Sequence, residues 1–311
     1  MNKILVTGGA GFIGSHVVDN LLEKGKNVVI LDIKKPLIIN ECVQYEKGSI
    51  TNEHLVEELV SECDGIIHLG GLLGTSETII QAKLMSRVNI LGGLNILDAC
   101  KTHNKRAVII STGNYWMFNC YAITKRAVAK FALMYNEEFR TKIAIVRGMN
   151  AYGPRQKAMP IRKIMPNFVI PALKHIPLTL CGSGNQVADL IYVKDMAEIL
   201  VRALFMEHGV YNSVFEAGMG YDITVKEIAE LVIKLAHSNS VIQYANKRQG
   251  EELDAVIKAD LRTLEPLEYS RDNMMPLEEG IKLTINWYQM RIKEKGGLNA
   301  FREDKIGRLR V

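Results

Sequence analysis

Short apolar runs alternate with amphipathic stretches through the first half of the chain. Runs at residues 4–6, 28–31, 65–69, 106–111 and 142–147, with a shorter one near 43–45, have the length and β-branched content of buried strands. Between them apolar residues recur at helical spacing. This is clear at 12–22 and clearest in the two long stretches 87–103 and 121–139. Such alternation predicts an α/β fold, a Rossmann-like doubly wound parallel sheet with helices on both faces.

After Gly153-Pro154-Arg155 the pattern changes, because prolines at 154, 160, 166, 171 and 177 interrupt regular elements. Short strands at 178–181 and 189–193 and helices at 194–205 and 225–235 follow. We therefore expect a Rossmann-like domain at 1–165 and a smaller, partly interlaced C-terminal domain at 166–311, some segments of which return to the first. The active site then falls in the cleft at the C-terminal ends of the strands.

Composition narrows the classes. The 311 residues hold ample apolar content for a large core. No apolar run reaches eighteen residues, the length that spans a bilayer, and no charged leader precedes the first strand, so a cytoplasmic protein without membrane partners is expected. Cys42, Cys63, Cys100, Cys120 and Cys181 lack paired spacing and read as reduced thiols. His16, His68 and His175 lack carboxylate partners at ligand spacing, so no metal is expected. Of the formal charge of +5, residues 289–311 carry +4, from seven Lys or Arg against three acids. A basic tail on a nearly neutral body argues against a nucleic-acid groove.

The first apolar run leads directly into Thr7-Gly8-Gly9-Ala10-Gly11-Phe12-Ile13-Gly14. Gly8 suits a tight turn, Gly11 lets backbone approach a pyrophosphate, and Gly14 lets helix and strand pack closely, while the helix N-terminus supplies amides and a favourable dipole. The second run ends at Asp32, about twenty residues on, where a carboxylate accepts hydrogen bonds from an adenosine ribose. Its charge repels a 2′-phosphate, which favours NAD over NADP. Lys34 and Lys35 lie close enough to soften that preference or are a solvated turn. Further on, Tyr121 and Lys125 lie four apart on one helix face. An ammonium beside a phenol favours phenolate, which suits a general base for a substrate hydroxyl. The strand ending at Ser111-Thr112 brings a further hydroxyl to the same place.

These residues, with TGGAGFIGSH at 7–16, IHLGG at 67–71, NILGGLNILDA at 89–99, ISTGNYW at 110–116, YAITK at 121–125, RGMNAYGPRQ at 147–156, DLIYVKDMAEIL at 189–200 and RQGE at 248–251, give the chain a resemblance covering nearly its whole length. It resembles the extended short-chain dehydrogenase/reductases of the nucleotide-sugar epimerase and dehydratase family, UDP-glucose 4-epimerase-like enzymes among them. The resemblance implies NAD as cofactor and a nucleotide-diphosphate sugar as substrate. Thr112, Tyr121 and Lys125 would be catalytic, Tyr121 taking the proton of a sugar hydroxyl, usually at C4, and Lys125 also binding the nicotinamide ribose. Cofactor contacts would come from Gly8, Gly11, Phe12, Ile13, Gly14, Asp32, Ile33, Ser49, Ile50, Leu69, Gly70, Gly71, Asn89 and Ser111, together with Tyr121 and Lys125. Asn150, Asn167, Arg248 and Glu251 fall where relatives contact the nucleotide. Arg248 suits a diphosphate as a multi-donor cation; a surface charge in a polar turn is the alternative. The family's habit of pairing two long helices implies a homodimer through 87–103 and 121–139.

Three departures from the family pattern bear on the reaction. Ala188 stands before Asp189-Leu190 where relatives usually carry an arginine, which removes one phosphate contact. Only eight residues separate Thr112 from Tyr121, and Tyr115, Trp116 and Phe118 make that connection aromatic. Gly113 and Asn114 occupy positions where 4,6-dehydratases carry an acid and a base, decarboxylases a glutamate at the second, and some epimerases a cysteine at the first. Neither residue transfers a proton at neutral pH; Cys120 is the one nearby thiol, read chiefly as structural. The expected reaction is oxidation and re-reduction at C4, a nucleotide-sugar 4-epimerase. A 4-dehydrogenase that releases the keto sugar, its NADH recycled by another oxidant, and a non-catalytic NAD-binding sensor are the alternatives.

Overall fold

A computed structural model describes residues 1–36, 39–207, 211 and 213–294. Most of the basic tail lies outside the described residues. The first half runs β1 (Lys3–Thr7), α1 (Phe12–Glu23), β2 (Asn27–Asp32), β3 (Val43–Lys47), α2 (Glu53–Glu62), β4 (Gly65–His68), α3 (Ala82–Met85), α4 (Gly92–Thr102), β5 (Arg106–Thr112), α5 (Cys120–Phe139) and β6 (Lys142–Gly148). The second half runs β7 (Asn150–Tyr152), α6 (Ile164–Leu173), β8 (Leu178–Cys181), β9 (Val187–Ala188), β10 (Leu190–Tyr192), α7 (Val193–Phe205), β11 (Val214–Ala217), α8 (Val225–Leu235), β12 (Ile242–Ala245), β13 (Val256–Ile257) and α9 (Leu277–Glu294).

Seven strands form one parallel sheet in the order β11-β6-β5-β4-β1-β2-β3. The chain leaves β1 in one direction towards β2 and later re-enters beside it through β4, so the switch point that opens a crevice lies between β1 and β4. Strand cores such as Ile4-Leu5-Val6 and Ile143–Val146 are wholly buried, because helices cover both faces. On one face Val17, Val18 and Leu21 of α1 pack with Leu200, Val201 and Leu204 of α7. On the other, Val56 and Val60 of α2, Ile96 and Leu97 of α4 and Val128 and Ala132 of α5 close the second layer. A third core, from Phe168 and Val169 of α6, Ile228 and Val232 of α8 and Ile281, Ile285 and Tyr288 of α9, fills the C-terminal lobe.

Three features differ from the sequence expectation. The stretch 87–103 is not one α-helix: a π-helical turn, Ser86–Leu91, joins α3 to α4. The prolines after residue 153 do not exclude helix, since Pro166 and Pro171 both lie in α6. Pro166 occupies the first turn, where no N–H is needed, and Pro171 falls near the end of a helix held by its buried face. β11 and α9 carry no clear signature in the sequence, yet one extends the large sheet and the other helps build the third core.

Candidate active site

β1 runs into the glycine turn and α1, with Gly8 at φ +71°. A Cβ on Gly8 would stand 2.8 Å from the Gly70 nitrogen, and one on Gly14 would stand 2.2 Å from the Gly8 carbonyl oxygen. Only bare backbone permits this approach of turn, helix and β4 loop. Gly11 is the N-cap of α1 and provides no side-chain cap, which leaves the first amides of the helix for a ligand's anion. The Asp32 carboxylate is aimed at the same turn, accepting from Ala10 N–H at 3.0 Å and Lys34 N–H at 2.9 Å. These residues fit a dinucleotide: a glycine cradle that any Cβ would fill, with a carboxylate at its rim.

The other expected cofactor residues divide. Phe12 and Ile13 open α1, and exposed Ile33 follows Asp32. Ser49 hydrogen-bonds Thr51 at 2.8 Å, while Ile50 is buried and its carbonyl accepts from Asn95 at 2.9 Å. Leu69, Gly70 and Gly71 form the loop after β4, with Gly70 N–H donating to Thr7 Oγ1 at 3.1 Å. Asn89 lies in the π turn and is engaged by protein. Its Oδ1 accepts from Leu72 N–H at 2.7 Å, and its Nδ2 donates to Leu72 O at 3.1 Å and Thr124 Oγ1 at 3.0 Å. The π turn thus ties the β4 loop to the helix that carries Tyr121 and Lys125.

Ser111 and Thr112 end β5, both buried, and the Thr112 hydroxyl donates to Asn114 Oδ1 at 2.5 Å. Tyr121 and Lys125 stand one turn apart on α5, whose N-cap is Asn119. Burial pushes the Tyr121 phenol up to about 12, with a hydrogen bond to Thr112 pulling the other way. Lys125 is itself desolvated, and its pKa falls to about 8. The depression of the phenol that the Tyr121–Lys125 spacing predicts is therefore not seen, because desolvation dominates at Tyr121. His68, buried and bonded to Thr7 Oγ1 at 2.7 Å, is pushed down to about 3 by burial and by Lys125, so it stays neutral.

The connection between Thr112 and Tyr121 has a built interior. Arg147, at the end of β6, pairs with Glu216 of β11 and stacks its guanidinium 3.8 Å from the Tyr115 ring, against which Trp116 packs edge-on. A Cβ at Gly113 would stand 2.5 Å from Met149 Sδ. A side chain at that position would require the flexible Met149 to move. The Cys120 thiol is turned to the Ile79 carbonyl at 3.4 Å.

The four expected substrate residues come from three segments, Arg248 and Glu251 sharing one turn. Asn150, on β7, donates from Nδ2 to Asp189 O at 3.0 Å, and Asn167 lies half-buried on α6. Asp189 is an interior staple, accepting from Met219, Gly220 and Ala259 N–H at 2.9, 2.9 and 3.0 Å. Arg248 reaches Glu77 at 2.7 Å and Glu251 at 3.4 Å, so its guanidinium sits between two carboxylates. Glu77 escaped the sequence reading; its only signal was an acidic residue in a polar loop after β4. Burial raises the Glu251 carboxyl, against the pull of Arg248, and lowers the nearby Lys163 ammonium.

A family model described as the NAD dependent epimerase/dehydratase family matches residues 4–218. The chain belongs to that family. Among relatives of this family member, a putative UDP-glucose 4-epimerase of Methanocaldococcus jannaschii is 28% identical over 305 residues, spanning 91% of this chain and 97% of its own. A UDP-N-acetyl-alpha-D-glucosaminuronate decarboxylase of Bacillus cytotoxicus is 28% identical over 317 residues, spanning 92% of this chain and 98% of its own. The crystal structure of a Thermotoga maritima UDP-glucose 4-epimerase with UDP-glucose superposes with a TM-score of 0.85 at 27% identity, covering 93% of this chain and 99% of that one. The epimerase/dehydratase-family chain is thus an NAD-dependent enzyme of the extended short-chain dehydrogenase/reductase type rather than a sensor.

Proposed function

We propose that the enzyme inverts C4 of a sugar carried on a nucleoside diphosphate. The observation that supports this reading is Thr112, Tyr121 and Lys125 standing together beside Gly113 and Asn114, which offer no acid or base for elimination. NAD, held by the glycine turn, Asp32 and Lys125, supplies a hydride acceptor and donor for one carbon. Tyr121 takes the proton of the C4 hydroxyl as the carbonyl forms and returns it when the carbonyl is reduced. Thr112 holds the same oxygen by turning its single hydroxyl proton to it from Asn114 Oδ1. Arg248 meets the diphosphate once Glu77 and Glu251 yield it, with Glu251, Asn150 and Asn167 contacting the rest of the nucleotide. The enzyme acts as a homodimer through α4 and α5, whose outer faces leave Leu91, Ile123, Phe131 and Met134 exposed; light scattering of a clean monomer would overturn that part.

The test is incubation with UDP-, dTDP- and GDP-linked sugars, with products resolved by mass and stereochemistry. Unchanged mass with inverted C4 establishes the epimerase. A product lighter by two hydrogens, with NADH accumulating, establishes instead a 4-dehydrogenase, the reading that the short connection 113–120 and Ala188 favour through easier release of a keto sugar. Loss of water or carbon dioxide would refute both.

A further inference from the structure

Asn119, two residues before Tyr121, is buried and uses both ends of its carboxamide. Its Oδ1 accepts from Ala122 N–H at 2.9 Å and so caps α5. Its Nδ2 donates to the Gly250 carbonyl at 3.0 Å, 131 residues away in the chain. The two partners fix the amide's orientation, because one is a donor and the other an acceptor. Gly250, at φ +75°, sits between Arg248 and Glu251, and a Cβ there would lie 3.1 Å from Asn119 Cβ. Ser76 Oγ donates to the Gln249 carbonyl at 2.9 Å. The carbonyls of Gln249 and Gly250, in the turn that carries Arg248, are thereby anchored, the second directly to the first turn of the catalytic helix.

We propose that Asn119 is a positioning residue that sets the distance between the Arg248–Glu251 turn and Tyr121, and with it the length of substrate that fits productively between them. The proposal rests on the reading of Arg248 as the diphosphate contact. A nucleotide sugar must reach from one to the other, whereas a nucleoside diphosphate without its sugar does not extend to Tyr121. A cap alone needs an acceptor, which serine or aspartate also supplies; the link to Gly250 needs a second, separate donor atom on the same side chain, which aspartate lacks and the shorter serine cannot extend to the turn while it caps.

The test compares Asn119→Asp and Asn119→Ser with the native enzyme, using the nucleotide sugar it turns over, UDP-glucose being tried first, and the corresponding nucleoside diphosphate as inhibitor. Both variants keep a cap and lose the link. The expected result is a fall of about tenfold in kcat/KM for the sugar nucleotide, with unchanged NAD affinity and nucleoside diphosphate inhibition and a lowered melting temperature, more so for the buried carboxylate. Native kcat/KM in both variants overturns the proposal, and so do equal losses in NAD affinity and kcat/KM, which would mark a general structural role. Arg248→Met separates the two readings: it should weaken nucleoside diphosphate inhibition. If it does not, the diphosphate assignment fails and the proposal with it; if it does while the Asn119 variants behave as native, only the proposal fails.

Discussion

The glycine turn and the Arg248–Glu251 turn that we propose as the diphosphate contact are built in opposite ways. At Gly8–Gly14 the binding surface is backbone: amides at a helix N-terminus, a turn that excludes every Cβ, and no charged side chain to displace. At Arg248–Glu251 it is a charged side chain already matched to Glu77 and Glu251. A preformed amide cradle gives an anion new partners and takes none away, which suits a cofactor that stays. A guanidinium that must change partners offsets much of its gain, which suits a ligand that enters and leaves each cycle.

Four experiments probe this contrast. The largest effect belongs to neither end: Tyr121→Phe should lower turnover by about 10³-fold or more while NAD and nucleotide-sugar binding persist, and retained turnover would remove the catalytic assignment. Gly14→Ala breaks the backbone end, since its Cβ meets the Gly8 carbonyl at 2.2 Å. We expect about 1–3 kcal/mol of lost stability and strongly weakened NAD binding, measured by calorimetry, with native values showing that the cradle tolerates a methyl group. Glu77→Gln relaxes the charged end. Removing one carboxylate from Arg248 should tighten nucleoside diphosphate binding about threefold, and weaker binding would mean that Glu77 positions Arg248 more than it competes for it. The smallest effect is a pH dependence. The Lys125 pKa lies near 8 in the fold against 10.5 unfolded, so from about pH 8 to 10.5 the unfolded chain binds the extra proton and stability rises with pH. Denaturant titrations should show that rise flattened in Lys125→Met; identical slopes would place the lysine in a wetter site.

What the sequence revealed follows from how local each feature is. The strands 4–6, 28–31, 106–111 and 142–147 each lie within an observed strand, because a fully buried parallel strand needs a continuous apolar run. The glycine turn and the Tyr121–Lys125 pair were visible for a related reason, since their spacing fixes their geometry. The π turn was not visible: it accompanies an Asn89 carboxamide that reaches Leu72 and Thr124, contacts that exist only after folding. The partners of Arg248 stayed hidden likewise, because Glu77 is 171 positions away. The direction of the phenol pKa was hidden because burial, which has no sequence period, dominates it. Neither job of Asn119 was read from the sequence: its cap depends on where α5 begins, and its bond to Gly250 exists only after folding.

The route of the chain through α7 and β11 carries one more consequence. β11 pairs with β6 and α7 covers α1, so residues beyond 166 complete the large sheet. A fragment ending near residue 165 would bare the β6 edge as a template for intermolecular strand pairing and strip the lid from Val17, Val18 and Leu21. The gene for this enzyme therefore cannot be cut between its two lobes. A nascent chain emerging from the ribosome has to wait for most of its length before its first strand layer is sealed, and it is exposed to chaperones and to aggregation until then.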